Sequence, residues 1–171
     1  MKLGPAALAA AITLASVSTT AVALASTAMP PACTTSGLTV SRGHAGVAAG
    51  STYYPLRFRN ASEAACTLAG YPGVSWRRDG KQVGRAASRD TTAAASPVLL
   101  LPGQTAHSTL QVAEAGNYPP EVCKPVTVYR MRVRLPGRSS SVTLRFKAQV
   151  CSAKMPTDLG SPLSVTALSG S

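Results

Sequence analysis

Apolar and polar residues alternate along most of the chain after the first Cys, and no helical period is sustained. In the clearest early segment, Tyr54, Leu56 and Phe58 point to one face of a strand, whereas Arg57 and Arg59 point to the other. Alternation of this kind is typical of a β-strand with one buried face. The pattern therefore predicts strands, and predicts that the three apolar side chains belong to a core.

Further short strands follow at regular intervals. Val74 and Trp76 form the next apolar pair, and residues 98–101 and 106–112 alternate on either side of a Pro-Gly turn. Residues 86–96 are mostly small, which predicts a long flexible loop. Many short strands separated by Gly/Pro turns predict an all-β fold, an immunoglobulin-like β-sandwich.

The strongest predicted hairpin joins residues 128–135 to residues 142–150 through a Pro-Gly-Arg-Ser-Ser-Ser turn. Its predicted register has three buried cross-strand pairs, which are Leu135 with Val142, Val133 with Leu144, and Met131 with Phe146. The same register places Cys151 opposite Val126, close to Cys123. The hairpin therefore predicts a Cys123–Cys151 disulfide and leaves Cys33–Cys66 as the second.

The first 25 residues have the features of a cleaved export signal. Lys2 is followed by a long Ala/Leu/Val/Thr segment without charge, and small residues occupy the two recognition positions of a cleavage site after Ala25. Polar residues 16–20 make a stable membrane span less favourable. We therefore predict a secreted, extracellular protein, with attachment to the cell wall as the alternative to release. Its predicted parts are a signal peptide (1–25), a short linker (26–32), one β-sandwich (33–168) and a flexible tail (169–171).

Two motifs resemble an actinobacterial exported family, the domain of unknown function 4232 family. The first is residues 56–60, and the second is the run CTLAGYPGV at residues 66–74; residues 99–106, Cys123 and Cys151 match in the same order. The resemblance covers about residues 33–168 and implies a secreted or surface-attached β domain. It implies no activity.

The centre of the second motif predicts a structural turn. Gly70 and Gly73 can adopt dihedral angles that other residues resist, and they flank Tyr71 and Pro72. The alternative is a loop that contacts a ligand. We expect the structural role.

The sequence contains no GxSxG nucleophile elbow, no HExxH zinc motif, no Gly-rich phosphate-binding loop and no calcium-loop run of carboxylates. His44 and His107 are the only histidines, the six acidic residues form no obvious pair, and the four cysteines are assigned to disulfides. We therefore expect a non-enzymatic domain with no metal and no cofactor. Among the aromatic residues we expect Trp76 in the core, which leaves Tyr53 and Tyr118 as exposed candidates for sugar stacking.

The charge is strongly unbalanced, with 17 Lys and Arg against 6 acidic residues and a net charge of +11. In the predicted hairpin, Arg132 faces Arg145 and Arg130 faces Lys147, although like charges across a strand pair are destabilising. Such a face would suit an anion. The predicted contacts are Arg130, Arg132, Arg134, Arg145 and Lys147, with Arg57 and Arg59 extending the patch.

Three hypotheses follow. The leading one is an exported binding domain for anionic polymers of the cell envelope, without specific nucleic-acid recognition. An Arg-rich face that is merely solvated would carry the same charges. From a different class, a protein-interaction or inhibitor module would use the loops at residues 86–96 and 117–120. The third hypothesis is a hydrolase that would use His44 or His107.

Overall fold

The computed structural model describes residues 29–155 and 159–170. The predicted signal peptide, residues 1–25, lies outside the described residues. None of the helices in the described part of the chain is long and apolar enough to cross a membrane. In chain order the elements are β1 (Leu38–Arg42), β2 (Gly46–Ala48), β3 (Ser51–Asn60), β4 (Cys66–Leu68), β5 (Gly73–Arg78), β6 (Lys81–Val83), β7 (Ser88–Asp90), β8 (Val98–Leu100), β9 (Thr105–Ala113), α1 (Pro120–Cys123), β10 (Pro125–Arg134), β11 (Ser141–Cys151) and β12 (Leu163–Thr166).

Two large sheets form the domain. The first has the order β1-β3-β9-β12-β7, with β2 paired to β3, and the second has the order β11-β10-β5-β6. Strands β4 and β8 form a separate small sheet. Phe146 of the second sheet stacks on Trp76 at a centroid distance of 4.8 Å and meets the edge of Tyr54, in the first sheet, at 4.9 Å. The two sheets therefore pack face to face, which confirms the all-β, immunoglobulin-like β-sandwich.

The core follows from the alternation of the strands. In β3, Leu56 and Phe58 are fully buried, whereas Arg57 and Arg59 are exposed, as predicted. Trp76 is buried at 3 % exposure, also as predicted. Each fully buried apolar side chain of this size contributes about 1.5–3 kcal/mol to the free energy of unfolding.

Both predicted disulfides are confirmed. Cys33 is bonded to Cys66 with the Cα atoms 4.9 Å apart, and Cys123 is bonded to Cys151 with the Cα atoms 4.5 Å apart. The first bond ties the start of the domain to β4. The second ties the end of α1 to the end of β11 and, with Met155, forms a small cluster beside the main core.

The hairpin of β10 and β11 forms, but its predicted register is wrong. Val133 pairs with Val142 instead of Leu144, and the neighbouring pair is shifted in the same way. The reason lies at the turn: β10 ends at Arg134, and the carbonyl of Leu135 already accepts a turn hydrogen bond from the Arg138 N–H. Leu135 is nevertheless buried, because it reaches the core from the turn.

A second shift occurs inside the hairpin. Val128 pairs with Ala148 but Arg130 pairs with Arg145, so two residues of β11 oppose the single residue Tyr129. This is a β-bulge, which alters the local twist and the direction of nearby side chains. Beyond the bulge, Cys151 lies opposite Pro125 rather than Val126 as predicted.

Three segments predicted as linker, loop or tail carry regular contacts. Residues 88–90, within the predicted loop, form β7 and pair in parallel with β12. In the predicted linker, the carbonyl of Pro31 accepts a hydrogen bond from the Thr67 N–H at 2.8 Å. In the predicted tail, Ser169 and His107 exchange backbone hydrogen bonds of 2.8 and 2.9 Å. These segments lack apolar alternation because pairing at a sheet edge needs only backbone groups.

Asn60 is a fully buried polar residue at the end of β3. Its amide nitrogen donates hydrogen bonds to the carbonyls of Ala64, at 2.8 Å, and Leu100, at 3.0 Å. Its amide oxygen accepts hydrogen bonds from the backbone N–H and the hydroxyl of Ser62. One side chain thus satisfies four polar groups where β3, the following turn and β8 meet.

Gly84 lies where the chain leaves β6 and passes the Cys123–Cys151 disulfide. Its φ is 64°, and an added Cβ would lie 2.6 Å from the Cys151 carbonyl oxygen. We expect Gly84→Ala to lower the free energy of unfolding by about 2–3 kcal/mol, since left-handed strain and a backbone clash add together. Urea denaturation checks this. Gly80→Ala is the control because φ is also positive, 74°, but no atom lies within 4 Å of the added Cβ; an equal loss in both variants would remove the clash from the explanation.

Candidate anion-binding face

Three arginines lie side by side across the outer face of the second sheet. Arg130 in β10 pairs with Arg77 in β5 on one side and with Arg145 in β11 on the other. The predicted pairing of Arg130 with Lys147, and of Arg132 with Arg145, is therefore wrong. The structure instead forms a continuous row of three cations on three adjacent strands.

The row continues along β10. Arg132 lies between Ser75 and Thr143, and Arg134 lies one pair further, next to Gly73 and Ser141. We use the term basic face for the row together with its neighbours, namely Arg77, Arg130, Arg132, Arg134, Arg145 and Lys147. The Nε of Arg132 donates a hydrogen bond of 2.8 Å to the Ser141 hydroxyl, which fixes the direction of this side chain. The other cations of β10 and β11 are exposed.

A groove opens where the basic face meets the edge of the first sheet. It has a volume of about 440 Å³ and is lined by Arg42, Tyr129, Arg130, Arg145, Phe146 and Lys147. The Arg42 guanidinium lies 5.5 Å from the centre of the Phe146 ring and 5.7 Å from that of Tyr54. Burial raises the pKa of the Tyr54 phenol, and the charge of Arg42 opposes this effect. We call this the edge groove.

Carboxylates do not neutralise the basic face within the described residues. The ion pair in the described part of the chain joins Arg78, which is outside the basic face, to Asp79 at 3.7 Å, and both side chains are largely exposed. Two other carboxylates are engaged elsewhere: Glu114 accepts a hydrogen bond from Thr52, and hydrogen bonds from Thr92 hold the pKa of Asp90 below its usual value. The cations of the face thus present a field of one sign to solvent.

Arg57 and Arg59 do not belong to this face. Both lie on β3 in the first sheet, where Arg57 pairs with Ser41 and His107. Their side chains point outward from the solvent-facing surface of that sheet, because Leu56 and Phe58, which alternate with them, face the core. The predicted extension of the patch is therefore corrected: these two arginines occupy the opposite side of the sandwich.

The model of the family described as Domain of unknown function (DUF4232) matches residues 33–169. The chain belongs to the DUF4232 family. No curated protein and no solved structure matches the chain. The match begins at Cys33 and ends at Ser169, so the DUF4232 domain contains both disulfides, the basic face and the edge groove.

In the DUF4232 domain, Gly70, Tyr71 and Pro72 lie in the connection between β4 and β5, and Gly73 is the first residue of β5, without a positive φ. Gly70 has a φ of 96° and its carbonyl accepts a hydrogen bond from Leu168, while Pro72 is buried. The Tyr71 hydroxyl donates to the carbonyl of Ala93 at 3.3 Å. These contacts hold the turn against the loop at residues 91–97 and against the segment that follows β12.

The aromatic residue that the sequence analysis missed is Tyr129, which is 61 % exposed in the DUF4232 domain. The two tyrosines predicted as exposed are only partly so, and Tyr118 packs against the Cys123–Cys151 cluster. The available signal was a break in alternation, since Tyr129 and Arg130 are consecutive exposed residues between buried Val128 and Met131. Such a break marks a bulge.

The remaining candidates are dispersed in the DUF4232 domain. His44 lies between β1 and β2, whereas His107 lies in β9. Among the described residues, no group of three or more His, Cys, Asp and Glu side chains could hold a metal ion. Of the loop residues predicted for a protein-interaction module, Asn117 donates a hydrogen bond to the Gly50 carbonyl, so that loop is anchored to the β2–β3 turn.

Proposed function

We propose that this DUF4232 domain is an exported, non-enzymatic domain that associates with anionic polymers of the cell envelope through its basic face. The observation that carries the proposal is the row of Arg77, Arg130 and Arg145 on three adjacent strands. Like charges directly opposite one another destabilise a sheet by tenths of a kcal/mol per pair. A polyanion lying across the row would offset that repulsion.

The compartment supports the same proposal. Two disulfides indicate an oxidising environment, such as the outside of the cell. Polymers with phosphate or carboxylate groups in the envelope would meet an exported protein at high local concentration. Attraction to them needs density of positive charge rather than a specific motif, and it weakens as salt rises.

The test is a binding series with the chain lacking its first 25 residues. Purified cell walls are used with and without their anionic polymers, at salt concentrations from about 50 to 500 mM. If four to six cations contact the polymer, the logarithm of the binding constant should fall against the logarithm of salt with a slope of about −3 to −5. Stripping the anionic polymers should abolish binding.

Two results would contradict the proposal. Absence of binding at the lowest salt would reduce the basic face to a solvated Arg-rich surface. Binding that persists at high salt and depends on one purified protein would instead favour the protein-interaction module.

A further inference from the structure

Tyr129 gives the edge groove a feature that charge alone does not require. An exposed tyrosine presents an apolar ring and a polar tip, and here it stands at the β-bulge, next to Arg130 and opposite Phe146 and Lys147. The groove therefore combines one accessible aromatic ring with several cations. A binding surface for simple polyanions needs only the cations.

The size and charge of the edge groove define what fits it. Its volume of about 440 Å³ lies within the range of small-molecule sites. Arg130 and Arg145 are paired across the strands, so their guanidinium groups lie on the same outer surface beside the tyrosine. Arg42 lines the side formed by the first sheet. A ligand unit in this groove would meet an aromatic face and a cluster of anion-binding donors together.

We propose that the edge groove is a subsite for one acidic sugar residue of the bound polymer. The C–H face of the sugar ring packs on Tyr129, and the phosphate or carboxylate of the same unit contacts Arg130 and Arg145. This inference rests on the proposed function and specifies its ligand class. It predicts that the domain prefers polymers that carry anions on sugar rings over polymers that carry charge alone.

Single-stranded nucleic acid is the competing ligand, because it too is bound by aromatic rings and cations. Such platforms stack successive bases on several aromatic side chains. Among the large apolar side chains of the described residues that are exposed, Tyr129 is the one aromatic. A single ring suits one sugar unit rather than a run of bases.

The experiment compares Tyr129→Ala with the unchanged chain by calorimetry at about 50 mM salt. The probes are polygalacturonate and phosphomannan, which carry carboxylate and phosphate on sugar rings, inorganic polyphosphate, neutral dextran and oligo(dT). We expect Tyr129→Ala to weaken binding of both acidic glycans about tenfold, which corresponds to about 1.4 kcal/mol, and to change polyphosphate binding less than about twofold. A loss for one glycan only would identify whether the groove selects carboxylate or phosphate.

Two matched variants separate stacking from other effects. Tyr129→Phe keeps the ring and should bind both glycans as the unchanged chain does. Tyr53→Ala removes a partly exposed tyrosine from the first sheet and should leave all affinities unchanged. Since Tyr129 is exposed, its variants should melt at the same temperature as the unchanged chain.

The outcomes distinguish the two proposals. If polyphosphate and the glycans bind but Tyr129→Ala alters neither, the sugar subsite is wrong and the anion-binding function stands. If oligo(dT) binds more tightly than the glycans and loses most affinity in Tyr129→Ala, the groove is a nucleic-acid site. If none of the polyanions binds, both proposals fail.

Discussion

Replacing Arg130, Arg132 and Arg134 together with Ser should weaken binding to anionic polymers about 100-fold at low salt. The three cations occupy the centre of the basic face on one strand, and each contact that is lost removes an ionic interaction and its share of counterion release. The slope of the salt dependence should become shallower by about 3. Cosedimentation with cell walls across a salt series measures both quantities.

The melting temperature of this triple variant should stay within about 2 °C of that of the unchanged chain. The variant loses the hydrogen bond from Arg132 to Ser141 but also removes the repulsion between Arg130 and its neighbours. A control with the same net charge replaces three arginines of the first sheet with Ser, namely Arg57, Arg59 and Arg89. These three lie outside the basic face. If both triple variants lose affinity equally, net charge rather than the basic face governs binding.

The Asn60→Asp variant should lose about 3–5 kcal/mol of the free energy of unfolding at neutral pH. In the unchanged protein, the carbonyls of Ala64 and Leu100 accept hydrogen bonds from the amide nitrogen of Asn60. An ionised carboxylate can only accept hydrogen bonds, so it cannot replace this donor. Two carbonyls would then face a buried negative charge, a situation that is among the most costly of single substitutions. Urea denaturation at neutral pH measures the loss.

Acidic pH should reduce this loss, because a protonated carboxyl regains one donor. Burial next to two carbonyls raises the pKa of the introduced carboxyl in the folded state, so the penalty grows as pH rises and shrinks as pH falls. The matched control is Asn117→Asp: Asn117 also donates to a carbonyl, that of Gly50 at 2.7 Å, but it is exposed. Similar losses in the two variants would mean that burial is not the cause.

Local patterns were enough to predict the strands that face the core. Leu56 and Phe58 alternate with arginines that water can solvate, so the buried face of β3 follows from the side chains alone. The disulfides could be predicted for a similar reason, since a hairpin with a roughly correct register brings Cys123 and Cys151 together. An error of one or two residues in register was tolerated because α1 ends at Cys123, beside the end of β11.

The register and the limits of the basic face depended on interactions that the pattern does not encode. Leu135 is buried like a strand residue, but it lies in the turn and pairs with no residue of β11. Each residue of β10 near the turn therefore pairs with a different residue of β11 than the alternation predicts. The position of Arg57 depended on which strands share a sheet, a matter of tertiary pairing. Arg77 was missed because β5 becomes a neighbour of β10 only in the folded sheet.

The β-bulge between Val128 and Arg130 decides which side chains reach the candidate site. It turns two consecutive residues, Tyr129 and Arg130, toward solvent, and so places an aromatic ring within the basic face. A sequence-based register that assumes strict alternation assigns one of the two to the interior. The sequence therefore predicted the five cations of β10 and β11 in the basic face but missed Arg77 and Tyr129.

Strand β11 is one of the two edge strands of the second sheet and carries Arg145 and Lys147 along its exposed face. Outer strands of this length are templates on which a second molecule could add its own strand. Two copies approaching through β11 would bring Arg145 and Lys147 of one copy close to those of the other, and this repulsion opposes edge-to-edge pairing of the two sheets.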